Sequence, residues 1–134
     1  MTIPVKNSGF TLIELLVTIS IIAILTAIGI LTYAAVLKQG RDSKRQADLK
    51  AIQSALEQYR ADSIGYPESI TFGSTLVNNG KTYLNQVPND PLSGQSYCYQ
   101  LTGSAYELFA NLENSAPGGG NCNSATYNFK VTPP

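Results

Sequence analysis

From Leu15 to Leu37 the chain carries no charged residue, and no other feature of its 134 residues restricts the fold so tightly. About 20 apolar residues of α-helix span a hydrocarbon core about 30 Å thick. What remains of so short a chain has too little material to surround a helix that is apolar on every side. The stretch therefore reads as a membrane-spanning helix. It contains no proline, and Gly29 is its single glycine, either a point of close helix packing or a weak point in the helix. Glu14, immediately before the run, is the anomaly. A carboxylate within the hydrocarbon costs about 2.5–3.5 kcal/mol on insertion scales and calls for a partner. Left to itself it would reach for the headgroups near the helix end.

Lys6 suits the basic start of a secretory signal peptide, but the apolar run is too long and no small-x-small cleavage site follows it. The small residues Ser8 and Gly9 stand before the run instead. A cut there removes a short polar leader and leaves the hydrophobic helix on the mature chain. Lys38, Arg41, Lys44, Arg45 and Lys50 follow the run, whereas Lys6 and the amino terminus precede it. Counted alone, these charges put the remainder of the chain in the cytoplasm.

The other composition signals are mostly exclusions. Nine basic and nine acidic residues give a net charge of zero, so no global field draws in nucleic acid or an acidic substrate. Histidine is absent, which removes the commonest general base and metal ligand. Asp90, Glu107 and Glu113 are scattered along the sequence and suggest no catalytic carboxylate pair. The composition argues against an enzyme.

Beyond Leu37, Ala47, Ala51, Ile52, Ala55, Leu56 and Tyr59 recur at helical spacing and form one apolar stripe, with Asp48, Lys50, Glu57 and Arg60 on the other side. Gly40 causes no more than a bend. Gly65 reads as a C-terminal stop, and Pro67 prevents continuation. One helix from about Thr11 to Ser63 is expected, apolar all round in its first half and amphipathic in its second. Residues 68–96 read as loop with a single helical turn near Ser74–Asn78. "SYCYQL", "AYELFANLE" and "ATYNFKV" then alternate as three antiparallel strands, joined by a hairpin at "LTGSA" and a flexible loop at "NSAPGGGNCNSA". One apolar face of such a sheet needs a cover, which the helix stripe supplies. The expected fold class is α+β.

"GFTLIELLVTISIIAILTAIGI" resembles the N-terminus of type IV pilins and of type II secretion pseudopilins, and "ALEQYRADSIGYP" resembles the end of that family's long helix through Tyr59, Gly65, Tyr66 and Pro67. The resemblance implies the pilin fold, with cleavage by a prepilin peptidase between Gly9 and Phe10 and N-methylation of Phe10. It also implies pairing of Glu14 with the new amine of Phe10 on a neighbouring subunit. That pairing would set register, because a one-turn slip leaves both charges unpaired in a low dielectric. The implied organisation is a leader over 1–9, a transmembrane and assembly helix over 10–37, an amphipathic continuation over 38–64 and a globular part over 65–134.

Pro88, Asp90, Pro91, Tyr97 and Tyr99 in "YLNQVPNDPLSGQSYCYQ" resemble the major pseudopilin. Many members of that group bind calcium in an aspartate-rich C-terminal loop, but "ENSAPGGGNCNSA" has no Asp, and Glu113 with Asn and backbone oxygens makes at best a weak site. No cofactor is expected, and calcium is disfavoured. A Cys98–Cys122 disulfide would staple the loop, worth about 3 kcal/mol in the chain-entropy model; two free thiols are the alternative. The implied function is that of a structural subunit of a pilus or pseudopilus, a helical homopolymer and not an enzyme. Its partners are copies of itself, the prepilin peptidase, and an inner-membrane assembly platform with its ATPase; direct nucleic-acid binding is not expected. The implied location is the bacterial inner membrane, single pass with the C-terminal part outside the cytoplasm, and then a periplasmic or surface filament. The pseudopilus of type II secretion and the surface pilus both stay open, as does a non-polymerising, membrane-anchored binding domain.

Overall fold

The computed structural model describes residues 9–114 and 118–134. Apart from Gly9, the expected leader lies outside the described residues, as do Ser115, Ala116 and Pro117 of the expected flexible loop. Internal contacts divide the chain into two units, the first ending at Leu37 and the second running from Lys38 to Pro134.

Helix α1 runs Leu12–Ala61 without a proline and contributes to both units. Its first part is predominantly apolar, and the large hydrophobic side chains described from Phe10 to Leu37 are exposed, at 92% and 44% for these two ends. Among the described residues this is the one helix long and apolar enough to cross a membrane. Its hydroxyls do not oppose that setting. Thr18 donates to the Leu15 carbonyl at 2.8 Å, Ser20 to Leu16 at 2.7 Å and Thr26 to Ile22 at 2.7 Å. Each donor is satisfied inside its own helix, which removes most of the penalty for placing it in hydrocarbon.

α1 ends at Ala61, short of the expected Ser63. The amides of Asp62 and Ser63 bond the carbonyls of Tyr59 and Arg60 at 3.2 Å, so the last turn tightens to an i+3 pattern. Gly65 lies beyond this end and adopts no left-handed φ, so it is not the stop.

Within the second unit α1 buries Asp42, Arg45, Leu49, Ile52, Ala55 and Leu56. Their spacing of three and four residues defines one face. The expected stripe was rotated: Ala47 and Ala51 are exposed, while Asp48 and Glu57 are half-buried at its margins rather than on the far side. Alanine carries too little surface to fix a helix's orientation, so the larger Leu49 and Ile52 decide it.

Strands β3 (Cys98–Thr102), β4 (Ala105–Ala110) and β7 (Phe129–Val131) form an antiparallel sheet in the order β3-β4-β7. β3 and β4 join through the two-residue turn Gly103–Ser104, with Thr102 opposite Ala105. Tyr106, Leu108 and Ala110 alternate onto one face and pack in the same core as Leu49, Ile52 and Leu56. Phe109 points the other way yet keeps only 1% of its surface. It is covered by Cys98, Cys122 and Tyr127, a second small cluster.

That cover comes from a hairpin absent from the sequence reading. "ATYNFKV" is not one strand. β6 (Ala125–Tyr127) pairs with β5 (Gly120–Cys122), and only Phe129–Val131 joins β4. Asn128 is the break: its side-chain amide accepts from the Leu112 N–H and donates to the Leu112 carbonyl, both at 2.6 Å, replacing a backbone ladder step. Part of the supposed flexible loop is therefore strand. A second hairpin, β1 (Leu76–Asn78) with β2 (Lys81–Leu84), stands where a helical turn was expected. Asn79 and Gly80, with φ of 48° and 78°, make the left-handed two-residue turn that Asn-Gly favours. The α+β expectation of a long helix packed on small antiparallel sheet holds.

Candidate assembly site

Gly9, Phe10 and Thr11 lie ahead of the helix, which starts at Leu12. The Glu14 carboxylate accepts from the Thr11 N–H at 2.8 Å and from the Thr11 hydroxyl at 2.7 Å, while the Glu14 N–H donates to the Thr11 hydroxyl oxygen at 3.3 Å. This is a capping box, readable as Thr-x-x-Glu but missed in the sequence reading. It satisfies orphan donors at the helix N-terminus and places a negative charge where the helix dipole favours one.

Glu14 is exposed, and it shares with Phe10, Ile13, Val17 and Thr18 the wall of a shallow groove of about 360 Å³. One carboxylate in an apolar groove, three residues from a helix start, is suited to receive a cation that arrives with an apolar surface. Gly9 and Phe10 lie in non-helical chain just ahead of Thr11, and an added Cβ at Gly9 would meet nothing among the described residues.

A second set of charges lies in the C-terminal unit. Arg45, with none of its surface exposed, donates from Nε and Nη2 to the two oxygens of Asp90 at 2.8 and 3.0 Å. Its Nη1 reaches Asp42 at 2.9 Å and Glu113 at 3.1 Å. Arg41 forks onto the same Glu113 at 2.6 and 2.7 Å. Asp42 also caps the chain leaving β4, accepting from the N–H groups of Glu113 and Asn114 at 2.8 and 2.9 Å. Asp90 and Glu113 are thus brought together, contrary to their scatter in sequence, whereas Glu107 stands apart with Lys130. Two arginines offset two of the three carboxylate charges in the cluster and engage all three side chains.

The Arg41 fork, with help from Arg45, holds the Glu113 carboxyl down at about 2 despite some desolvation. Burial works against the charge on Asp42, but the two backbone N–H groups and Arg45 outweigh it and hold its carboxyl below the usual range. Three carboxylates raise the Arg45 guanidinium further above its already high value. Asp48 and Glu57 have comparable structural work: they accept from the hydroxyls of Tyr97 at 2.9 Å and Tyr106 at 3.1 Å. Burial first, and these carboxylates second, push both phenols well up. Asp90 also accepts the Leu92 N–H at 2.9 Å, which fixes the chain just past Pro91. A disulfide joins Cys98 to Cys122 and sits in the cluster around Phe109.

Residues 5–30 match the family described as "Prokaryotic N-terminal methylation motif", and residues 33–128 match "Type II secretion system (T2SS), protein G". The type II secretion system core protein G of Pseudomonas aeruginosa is 31% identical over 85% of this chain and 89% of its own length. The core protein G of Escherichia coli K12 is 30% identical over 78% of this chain and 81% of its own. The type IV major pilin PilA of Myxococcus xanthus is 27% identical over 75% of this chain but only 39% of its own. No solved structure matches the chain significantly. A methylation motif on the capped, carboxylate-bearing helix start, followed by a protein G match over nearly all of the rest, makes this chain a member of the type II secretion system protein G family of pseudopilins, within the wider type IV pilin family.

Proposed function

We propose that the protein is a structural subunit of a pilus or pseudopilus filament, cut by a prepilin peptidase between Gly9 and Phe10, methylated on Phe10, and polymerised through α1. The observation that carries the reading is the pairing of two incomplete features at one helix end. Ile13, Val17 and the apolar residues described after them are exposed, and among the described residues no cation pairs with Glu14. Cleavage supplies that cation as the new amine of Phe10. A neighbouring copy supplies the apolar cover, and repetition of a contact that does not close gives an open helix. The relatives named core protein G support the pseudopilus form of this reading.

The subunit waits in the inner membrane with residues 38–134 outside the cytoplasm, and the disulfide suits that oxidising side. The positive charges after the membrane segment oppose this topology less than their count suggests. Arg41 and Arg45 are engaged by carboxylates of the folded unit, which leaves Lys38, Lys44 and Lys50. The partners are further copies, the prepilin peptidase, and an assembly platform with its ATPase. The role is mechanical rather than catalytic.

Mass spectrometry of the native protein, together with filament yield from Glu14→Leu, tests the reading. A methylated Phe10 terminus and abundant processed subunit with scarce filaments are expected. An intact precursor, or normal filaments from Glu14→Leu, would overturn it.

A further inference from the structure

Calcium is the ion that the resemblance to major pseudopilins brings to the segment after β4, and the residues here do not fit it. Calcium takes six to eight oxygen ligands at about 2.3–2.6 Å, carboxylates among them. Between β4 and β6 the only carboxylate is Glu113, and both its oxygens are held by the Arg41 fork. The Asn121 side-chain oxygen accepts from the Thr126 hydroxyl at 2.9 Å, and Asn128 is committed to Leu112. Among the described residues no group of three or more His, Cys, Asp or Glu side chains is placed to hold a metal ion. The convergence of Asp42, Asp90 and Glu113 is filled by Arg45.

We propose that this chain anchors the connection between β4 and β5 without a divalent cation, through Arg41 and Arg45 on Glu113 at one end and the Cys98–Cys122 bond at the other. Each end has its own logic. At the first, a planar guanidinium offers two parallel donors to one carboxylate, which fixes direction as well as position. Asp42 completes the hold by taking the Glu113 and Asn114 amides, so backbone and side chain are fixed by one stretch of α1. At the second, Cys122 is tied to the start of β3, beneath the hairpin that covers Phe109. Order in this part of the molecule then depends on oxidation and on ionised carboxylates, and not on calcium supply.

The test uses the full chain in detergent micelles, with thermal unfolding followed by tyrosine near-UV circular dichroism. Tm is expected to agree within about 1 °C between millimolar calcium and excess EDTA, since a ligand that does not bind the native state does not stabilise it. Excess thiol lowers Tm by roughly 10 °C or more, as loss of a loop-closing bond predicts for a unit of this size. Arg41→Gln and Glu113→Gln each lower it by roughly 5 °C, and the double variant falls no further than the worse single one, because both remove the same contact. A calcium-dependent rise above about 5 °C in the unmodified chain overturns the proposal. So does a Tm within about 1 °C of the parent for both single variants, and so does insensitivity to thiol.

Discussion

Replacing Arg45 by Met is the sharpest perturbation that the C-terminal unit permits, because volume is roughly kept while the cation held between two buried carboxylates is removed. The Arg45 side chain keeps 1% of its surface, Asp42 keeps 5% and Asp90 keeps 1%. Breaking a buried pair by deleting one partner costs about 3–5 kcal/mol, most of it the penalty of a stranded charge. For a unit of roughly 100 residues each kcal/mol moves Tm by about 4–8 °C, so a fall of about 12–40 °C is expected. Asp90→Asn in the Arg45→Met background removes one stranded charge and should recover part of the loss, whereas Asp90→Asn alone should destabilise. The coupling in this cycle should lie near the upper end of about 0.5–3 kcal/mol. Acidity supplies an independent readout. In the parent, Asp42 and Glu113 are held below their unfolded range, so their stabilisation is complete at neutral pH and drains away in acid. In Arg45→Met the stranded carboxylates favour the protonated form, so acid relieves the fault. The two stability curves should converge below about pH 4. Near-UV circular dichroism melts of the full chain in micelles measure both effects. A loss under about 1 kcal/mol, or curves that diverge in acid, would refute the buried-counterion argument.

Two further outcomes follow from single positions. A Cβ at Gly119 would lie 2.5 Å from the Phe129 N and 2.7 Å from the Tyr127 carbonyl oxygen, both backbone atoms that cannot swing aside. Gly119→Ala should therefore cost about 3 kcal/mol, seen as a lowered Tm, while Gly118→Ala, with open space around it, should be close to neutral. Glu113, depressed from 4.5 to about 2 by Arg41 and Arg45, stabilises the fold fully above the higher value and progressively less down to the lower. Tm should decline across that window in the parent, and Glu113→Gln should start lower and decline less steeply.

The long helix was legible because its signals agree. An uncharged apolar run, no proline between Pro4 and Pro67 and a polar stretch at helical period all specify one element. The β3–β4 hairpin was legible for a similar reason, since alternation on both sides of Gly103 matches the pleat. The β1–β2 hairpin had an equally strong local signal in Asn79-Gly80, which was passed over because the flanking strands are only three and four residues long. So short a run gives no usable period. The split of "ATYNFKV" was not legible at all. Its residues alternate without interruption, and what divides them is a contact between Asn128 and Leu112 that no local pattern encodes.

The functional residues divide along the same line. Gly9, Phe10 and Glu14 belong to a signature that is contiguous in sequence, and Thr11 could have been added from its spacing to Glu14. The arginine cluster is different in kind. Arg45 lies among lysines and polar residues that look like a solvated helix face, and burying such a group is favourable only when its partners arrive from elsewhere. Those partners come from Asp90, in the loop before β3, and from Glu113, just after β4. Rotation of the helix stripe is the visible consequence. Ala47 and Ala51 could have faced the sheet, but the face carrying Arg45, Leu49, Ile52 and Leu56 satisfies three carboxylates and fills the core at once. Apolar periodicity accounts for the lower half of that face, and the charges on other elements account for the upper half.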